Sequence, residues 1–411
     1  MDILHERAAG IDISKRDAKV CVRIPGKRKG NYASEVRTWG STTGEILALH
    51  EFLIEQGVTT VVMEATGDYW KPFYFVLEDG LSLILANARL VKNIPGRKTD
   101  VSDAAWLAQL GAYGLVRASF VPPEPIRQLR DLTRARAAAV RDRSHVVQRL
   151  EKFLECSGIK LSAVVSHLSG VSARLILDAL IDGERDPQAL AELAKGALRR
   201  KLPELVDALE GRFNEHHAFL TRRFLDQYDL HTHIIEQIDE RIGEAIAPFR
   251  DIRDMLTTIP GVSELVANVI IAETGADMDV FETPGHLASW AGVCPGSNQS
   301  ADRTGSTRTR PGNAHLKAAL GTAALSIAQT HGTYFAVKYR RIASRRGPIK
   351  AIVAIEHAIL TATWHMLRNG EAYIDPGADF YTKLDPQKTR NKAIRQLEIL
   401  GYQVAITPAA A

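Results

Sequence analysis

The stretch AGIDISKRDAKVCV, residues 9–22, is the main indication of the fold of the first part of the chain. It predicts a strand, a turn at Lys15–Asp17 and a second strand, because apolar runs stand on either side of a short charged break. The β-branched run TTVVMEAT, residues 59–66, predicts a buried strand. With the segments around them, these strands give the order β-β-β-α-β-α-β-α, which is typical of a mixed sheet flanked by helices.

Helices dominate the sequence beyond VPPEP, residues 121–125. The arginine-rich segment from Ile126 to Cys156 contains no proline or glycine and predicts a long helix. From Arg212 to Ala247 most apolar residues recur three and four positions apart, so we expect a long amphipathic helix. A helix of that length needs a partner, which favours a coiled-coil or hairpin arrangement.

A second globular unit is expected to start near Met255. Its turn at Ile259–Val262 resembles that of a helix-hairpin-helix, whose backbone amides can hold a nucleic-acid phosphate. The tail beyond Glu371 predicts a basic helix followed by a short strand, YQVAI at residues 402–406.

The composition is that of a globular chain with several domains. The chain has 411 residues and 45% apolar residues, and its three cysteines, Cys21, Cys156 and Cys294, lie far apart. This spacing excludes a disulfide framework and a cysteine-type zinc site, and it favours a reducing compartment. Since the first residues lack the apolar core of a signal peptide and no apolar run is long enough for a membrane span, we expect a cytoplasmic protein that contacts no membrane.

Positive charge is segregated along the chain. The net charge is only +4, but Arg303–Lys350 contains ten lysines and arginines and no acidic residue. A second segment, Arg117–Arg149, has eight arginines and three acids. Such segregation indicates a polyanionic partner, most simply nucleic acid, although a solvated basic face is the alternative. The candidate contacts are Arg127, Arg130, Arg134, Arg141, Arg303, Arg308, Arg310, Lys317, Lys338, Arg340, Arg341, Arg345 and Arg346.

Four carboxylates form the second candidate site. Asp12 lies in the first predicted strand, Glu64 ends the fourth, and Asp100 and Asp103 lie at the start of a helix. If the first and fourth strands are neighbours, these side chains converge on oxygen ligands for one or two Mg²⁺ ions, which can serve phosphodiester chemistry. The alternatives are ordinary: a turn cap for Asp12, a helix cap for Asp100 and a favourable helix-dipole position for Asp103.

Three blocks of sequence carry a resemblance to a known family. GIDISKRDAKVCV (10–22), MEATGDYW (63–70) and RKTDVSDAAWLA (97–108) resemble the RuvC-like, ribonuclease-H-like domain of DEDD transposases of bacterial insertion sequences, which are bridge-RNA-guided recombinases. The family's four metal-binding acids fall on Asp12, Glu64, Asp100 and Asp103. The implied domains are a RuvC-like catalytic domain with its trailing arginine-rich helix (1–158), a helical or coiled-coil segment for oligomerisation (159–250), a mainly helical transposase domain (251–370) and a basic tail (371–411).

The segment WAGVCPGSNQSADRTGSTRTRPGNAHLKAAL, residues 290–320, is similar to the family's transposase domain. The position that matches its nucleophilic serine is Ser300, followed here by Ala301 where the family usually has glycine. Ser297 and Ser306 are near, and a flexible polar loop is the alternative interpretation. A serine hydroxyl needs activation by a base or a metal. The nearby cations Arg303, Arg308, Arg310 and Lys317 would hold the scissile phosphate.

The resemblance implies a Mg²⁺-dependent DNA recombinase that exchanges strands through a covalent 5′-phosphoserine intermediate. Its implied partners are double-stranded target and donor DNA, a structured guide RNA and further copies of the chain, as a dimer assembling to a tetramer beside the bacterial nucleoid. The acids of one protomer would face the serine of another. The alternatives are a hydrolytic RuvC-like nuclease with an idle Ser300 and a non-catalytic RNA-binding scaffold. An actin-like ATPase is disfavoured because MEATGDYW (63–70) is too short and bulky for a phosphate loop.

Overall fold

The computed structural model describes the backbone of most of the chain. The described residues are 3–28, 31–65, 67–88, 91, 94, 102–296, 299–300, 303–304 and 308–407, with the backbone alone described at 299–300 and 303–304. The chain divides into two compact units between Val121 and Pro122. The arginine-rich helix belongs to the second unit, whereas the family resemblance groups it with the first domain.

The first unit is built on a five-stranded mixed sheet. Its strands are β1 (Ala8–Ile13), β2 (Asp17–Pro25), β3 (Tyr32–Gly40), β4 (Thr60–Glu64) and β5 (Ser82–Ala86). Their order across the sheet is β3-β2-β1-β4-β5, with β1 antiparallel to β2 and parallel to β4. The expected mixed sheet is therefore confirmed, with the first and fourth strands as neighbours, and its order is consistent with a ribonuclease-H-like domain.

Helices cover both faces of this sheet. They are α1 (Thr43–Glu55), α2 (Trp70–Leu77) and α3 (Asp103–Ala112). On one face Leu49 of α1 and Phe73 of α2 join the core of strand residues, and on the other face Leu107 of α3 packs against Val62. Since β1 and β4 are covered on both sides, their continuous apolar runs are those expected of buried parallel strands.

Two glycines bring α3 unusually close to the sheet. A Cβ atom at Gly10 in β1 would lie 2.1 Å from the carbonyl oxygen of Ala104 and 2.3 Å from the amide nitrogen of Ala108. A Cβ at Gly111 would lie 2.6 Å from Val62 Cγ2 of β4. Only glycine permits backbones to approach so closely, and the contact holds the start of α3 beside the end of β1.

The second unit is almost entirely helical. Its α-helices are α4 (Glu124–Ser157), α5 (Leu161–Val164), α6 (Val171–Ile181), α7 (Pro187–Glu192), α8 (Leu202–Leu209), α9 (Glu215–Ala245), α10 (Arg250–Thr257), α11 (Glu264–Thr274), α12 (Pro284–Ala291), α13 (Ala314–Gln329), α14 (Tyr334–Arg346), α15 (Pro348–Asn369), α16 (Phe380–Leu384) and α17 (Pro386–Ile399). Two 3₁₀ turns, Gly196–Lys201 and Ala247–Phe249, and a short hairpin of β6 (Gln299–Ser300) and β7 (Arg303–Thr304) complete it.

The two longest helices confirm the expected long segments and form an antiparallel pair. Three arginines of α4 bond partners on α9 in reverse chain order: Arg136 with Asp239, Arg143 with Thr232 and Arg149 with Gln227. α4 ends at Ser157, and Gly158 caps its carboxyl end with a φ of +83°, a left-handed conformation that glycine adopts readily. This pair is a hairpin within one chain; a coiled coil between chains stays a prediction.

Helices α11, α13 and α15 form the core of the carboxyl-terminal part of this unit, where Ile270, Leu320 and Ile359 are fully buried. The turn between α10 and α11 places Gly261 against α13, where a Cβ would lie 2.5 Å from Ile327 Cγ1. The segment is thus helix, turn, helix as expected, and its similarity to a helix-hairpin-helix stays a prediction.

The expected strand at residues 402–406 is wrong. Residues 402–407 form no strand, and most of them are exposed. A strand needs a partner for its backbone hydrogen bonds, and its apolar alternation alone supplies none. Within the described part of the chain, no helix is both long and apolar enough to span a membrane.

The close contact at Gly10 predicts a matched pair of glycine substitutions. Gly10→Ala should lower the free energy of unfolding of the first unit by about 1–3 kcal/mol or more, because the added Cβ has no room. Gly44→Ala in α1 meets no atom within 4 Å and should leave stability unchanged or raise it by up to about 1 kcal/mol. Native-state hydrogen exchange of the β1 amides measures both, and equal values would contradict the contact.

Candidate functional site

Two of the predicted acids lie at the same edge of the sheet. β1 and β4 run parallel, and Ile11 pairs with Met63. Asp12 and Glu64 are the next residues of the two strands, so they lie near each other at the carboxyl ends of β1 and β4. Both residues are half-buried. Side chains at the carboxyl ends of parallel strands face the crevice where α/β sheets commonly bind ligands.

Asp103 comes from α3, which packs against Gly10 and therefore covers the face of the sheet that Asp12 shares. It is the first residue of α3, whose start is capped by the Ser102 hydroxyl accepting from the Ala105 amide at 3.3 Å. Burial raises the pKa of the Asp12 carboxyl, and the Asp103 carboxylate raises it further against the opposing charge of Lys19. The structure therefore brings Asp12 and Asp103 within electrostatic reach, while Asp100 lies outside the described residues.

The donor set at this edge suits a hard cation. Mg²⁺ prefers carboxylate oxygens, and a bound cation would relieve the repulsion between Asp12 and Asp103 that raises the pKa of Asp12. Among the described residues, no three His, Cys, Asp or Glu side chains lie close enough together to hold a metal. Occupancy by Mg²⁺ is accordingly a proposal, and Asp100 is the residue that would complete the expected set.

The predicted nucleophile lies on a short hairpin in the second unit. Ser300 in β6 pairs with Arg303 in β7, and their side chains lie outside the described part of the chain. At the base of the hairpin, Pro295 pairs with Thr309, and the Gly296 amide donates to the Arg308 carbonyl at 3.2 Å. The backbone of Ser300 therefore lies in a strand.

A cleft of about 1120 Å³ opens at the base of this hairpin, and we call it the basic cleft. Its lining combines six cations with six apolar residues. The lining residues are Val293, Pro295, Arg308, Thr309, Arg310, Pro311, Lys317, Lys338, Arg346, Ile349, Lys350, Val353, Ala354 and His357. No carboxylate is among them within the described part of the chain, so the cleft favours an anion.

Burial modulates the charges inside the basic cleft. It lowers the pKa of Lys338, whose ammonium lies over the Tyr334 ring at 5.5 Å. Burial, together with the charge of Lys338, also lowers the pKa of His357, which favours the uncharged imidazole. A partly buried ammonium gains more free energy from binding an anion than an exposed one, because the fold has already removed part of its hydration.

The predicted nucleic-acid contacts lie in different surroundings. Arg308, Arg310, Lys317, Lys338 and Arg346 line the basic cleft. Arg141 is exposed on α4, and the side chain of Arg303 lies outside the description.

The remaining predicted contacts have partners inside the protein. Arg127 donates to the Pro122 carbonyl, Arg340 contacts the Thr330 carbonyl and His331, Arg341 lies over the Tyr381 ring, and Arg345 donates to the Arg341 carbonyl. Contact of these groups with nucleic acid stays a prediction, since each would have to keep or exchange the partner it has.

Arg130 and Arg134 of α4 hold a fully buried carboxylate, Glu273, at the end of α11. Arg134 donates to both carboxylate oxygens at 2.7 and 2.8 Å, and Arg130 donates to the carbonyls of Ala272 and Glu273 at 2.9 Å each. The Asn313 amide donates to Glu273 at 2.6 Å. Burial alone would raise the pKa of Glu273, but these hydrogen bonds and the two guanidinium charges hold it below its ordinary value.

Asn313 connects this network to the hairpin segment. Its side-chain oxygen accepts from the amides of His315 and Leu316 and caps α13, while its nitrogen bonds Glu273. Burial and the charge of Arg134 lower the pKa of His315, which favours its uncharged form. The segment that leaves the hairpin toward α13 is thus fixed at its end by a buried charge.

Sequence reasoning missed Glu273, Asn313, Lys350 and His357. One signal for Glu273 was visible, an acid near the end of the otherwise apolar helix ELVANVIIAET (264–274). Asparagine before a helical run was a second signal, since it is a favoured helix cap. Lys350 and His357 are seven residues apart on α15 and share a face, but which face meets the hairpin could not be read from spacing.

Comparison with protein families gives two matches. A family model described as a transposase, of the DEDD type of IS110 elements, matches residues 9–157. A second, described as the transposase IS116/IS110/IS902 family, matches residues 253–340. Together the two matches span more than half of the chain, and they include Asp12, Asp103 and Ser300.

Two insertion-element proteins are similar over long stretches. An uncharacterized 44.8 kDa protein of IS116 from Streptomyces clavuligerus is 25% identical over 261 residues, which are 55% of this chain and 63% of that protein. An uncharacterized 42 kDa protein of IS900 from Mycobacterium paratuberculosis is 24% identical over 396 residues, which are 89% of this chain and 96% of that protein.

The buried carboxylate predicts a stability effect that is specific to its position. Glu273→Gln should lower the free energy of unfolding of the second unit by about 3 kcal/mol, because it leaves Arg130 and Arg134 without their counter-charge. Glu264→Gln, on the same helix but with a 71% exposed side chain beside Arg253, should change it by less than about 1 kcal/mol. Urea denaturation followed by circular dichroism measures both, and equal losses would contradict the assignment.

The same pair predicts a pH dependence. Because the folded-state pKa of Glu273 lies below its unfolded value, its charge stabilises the protein above the unfolded pKa. This contribution is lost as the pH falls through the folded-state pKa. The stability difference between wild type and Glu273→Gln should therefore be constant near neutrality and shrink below about pH 4.3, the ordinary glutamate pKa. A difference that grows on acidification would contradict this sign.

Proposed function

We propose that this chain, which belongs to the IS110 family of insertion-sequence transposases, cuts and rejoins DNA strands through a covalent bond between Ser300 and a DNA 5′-phosphate. One observation supports the proposal: Pro295 and Thr309, which pair with each other on either side of the segment that contains Ser300, both line the basic cleft. Concentrated positive charge near a nucleophile suits an anionic substrate such as a phosphodiester.

The proposed step is a transesterification that conserves bonds. The Ser300 hydroxyl oxygen attacks the phosphorus, the bond from phosphorus to the 3′ oxygen breaks, the serine proton passes to solvent, and the 3′ oxygen leaves as a hydroxyl after protonation. Attack of a 3′-hydroxyl from another strand on the phosphoserine reverses the step and joins the strands. The number of phosphoester bonds is unchanged, so the exchange requires no ATP.

The chain's cations would bind and orient the phosphate. Arg308 and Arg310 follow the hairpin, and Lys317 on α13 donates to the Thr309 hydroxyl at 3.4 Å, which holds its ammonium at the cleft wall. Charge-assisted hydrogen bonds from such groups are stronger than neutral ones and stabilise charge that develops on the phosphate oxygens.

The acids of the first unit would serve the same reaction. Asp12, Glu64, Asp100 and Asp103 would hold one or two Mg²⁺ ions, which when bound supply neutralisation of the phosphate and activation of the attacking oxygen. The proximity of Asp12 and Asp103 supports this. The Asp103 charge contributes to the raised pKa of Asp12, and a bound cation would relieve that repulsion.

We further propose that a structured guide RNA selects the target and donor DNA, and that the chain works as a dimer assembling to a tetramer. The clustered cations of the basic cleft suit contacts with backbone phosphates, which position a nucleic acid without reading its sequence directly. In such a system the protein contacts backbones, while base pairing supplies sequence specificity.

The adduct assay tests the proposal. Wild-type protein with Mg²⁺, RNA from the element's non-coding end, and labelled target and donor DNA should give a protein–DNA adduct that survives SDS. Ser300→Ala should abolish it. Asp12→Asn and Asp103→Asn should reduce it by about 10²-fold or more, since losing even an outer partner of a metal ligand costs about 10–100-fold.

Ser289→Ala is the matched control, because Ser289 is an exposed serine of α12 and its variant should keep the adduct. An adduct lost only in Ser297→Ala or Ser306→Ala would move the nucleophile to that residue. Free cut DNA without an adduct, in wild type and Ser300→Ala alike, would overturn the recombinase proposal in favour of a hydrolytic nuclease.

A further inference from the structure

The basic cleft contains an aliphatic wall that phosphate binding does not explain. Ile349 and Val353 lie four residues apart on one face of α15, and Val293, Pro295 and Pro311 line the cleft with them. Ile349 is 80% exposed. An exposed aliphatic side chain among cations gains free energy when an apolar group of a ligand covers it.

The cations surround this wall rather than forming a separate patch. Arg346 and Lys350 flank Ile349 in the chain, Arg308 and Arg310 come from the hairpin side, and Lys338 comes from α14. A ligand that satisfies the cleft must therefore present negative charge and an apolar face within the same volume. Phosphate alone, or a peptide carboxylate, supplies only the first.

From this combination we infer that the basic cleft binds an unpaired nucleotide of a DNA strand, with its phosphates on the cations and its base against Ile349 and Val353. The inference deepens the proposed function and rests on its claim that DNA is the substrate. A volume of about 1120 Å³ is slightly larger than ordinary small-molecule pockets, which hold about 300–1,000 Å³, and it leaves room for the flanking phosphates.

The base must be out of its helix for this contact. In a duplex each base is covered by its neighbours above and below, so its apolar face cannot reach a protein side chain. The duplex exterior offers phosphates and sugars, which would leave the wall of Ile349 and Val353 facing polar groups. An extruded nucleotide exposes a face of the right chemistry, at the energetic cost of unstacking.

An extruded nucleotide would also suit the position of the cleft. Strand exchange requires that bases near the cut leave their old partners before they find new ones. The cleft lies at the base of the hairpin that carries Ser300, so it could hold such a base while the strand is attached to the serine. Because the wall is aliphatic, it would accept any base and add no sequence preference.

The test uses full-length protein without Mg²⁺ and a single-stranded DNA dodecamer that carries one 2-aminopurine between adenines. Stacking quenches 2-aminopurine, so its transfer to a wall without aromatic rings should raise its fluorescence. We expect a clear rise with the single strand and with a duplex that leaves the 2-aminopurine unpaired. The same probe fully paired in a duplex should give a smaller rise and bind more weakly.

Ile349→Gln should remove most of the fluorescence rise and weaken single-strand binding about fivefold, in line with the energy of one base contact. The variant should fold, because Ile349 is 80% exposed. Val171→Gln is the matched control: Val171 is a 73% exposed aliphatic residue of α6, outside the cleft, and its variant should behave as wild type.

Charge variants separate the phosphate contacts from the base contact. Arg346→Gln combined with Lys350→Gln should weaken binding and reduce the slope of log K against log salt by about 1.4 for a single strand. At saturation the fluorescence rise should persist, because the wall is intact.

Three results would overturn the inference. The first is a probe that stays quenched at saturation; the second is an Ile349→Gln variant that matches wild type. The third is a clear preference for the same oligomer made of RNA, which would assign the cleft to the guide. Ser300→Ala should retain the full fluorescence rise, so failure of the serine chemistry and failure of this binding site are distinguishable.

Discussion

The buried carboxylate of Glu273 is the interaction on which the second unit depends. Its side chain has no exposure to solvent, and a buried charge is tolerated only when it is fully paired. Arg130 and Arg134 of α4 supply the counter-charge, and Asn313 supplies a further hydrogen bond. Three segments that are distant in the chain must therefore meet at one point, and none can shift without leaving a charge or a donor unsatisfied.

The hairpin with Ser300 lies in the chain between the two ends of this network. Glu273 precedes it at the end of α11, and Asn313 follows it at the cap of α13. Flexible segments become precise only when the elements around them are rigid, so a buried charge in the frame is a physical reason for the hairpin and the cleft to keep their positions. Asn313 also caps α13, so it fixes the start of the helix that carries Lys317 of the cleft wall.

The basic segments of the sequence illustrate how one signal can cover two physical roles. Arg136, Arg143 and Arg149 bond α9 and join two long helices, while Arg308 and Lys317 line the cleft. In a linear sequence both groups are simply runs of cations. The arginines of α4 are distinguished by polar partners 78 to 103 residues away, namely Gln227, Thr232 and Asp239, and no local pattern predicts those partners.

Local patterns were sufficient where the fold is determined by local chemistry. The β-branched runs, the caps and the helical spacing predicted the five strands, α3 and the long helices, and the parallel pairing of β1 with β4 made the convergence of Asp12 and Glu64 foreseeable. The tail strand failed because pairing is a tertiary property. The wall of Ile349 and Val353 escaped prediction for the same reason, since an apolar pair on a helix ordinarily faces a core.

The two candidate sites make opposite electrostatic demands on a nucleic acid. The negative charges of Asp12 and Asp103 disfavour a phosphate, and burial together with the Asp103 charge raises the pKa of Asp12. The basic cleft attracts a phosphate with no help from a metal. Binding through the second unit would therefore be governed by salt, whereas any chemistry at the acids would be governed by a divalent cation. In the proposed reaction, such a chain would hold DNA before it is competent to cut it, and the supply of the cation, not the affinity for DNA, would decide when the strands are exchanged.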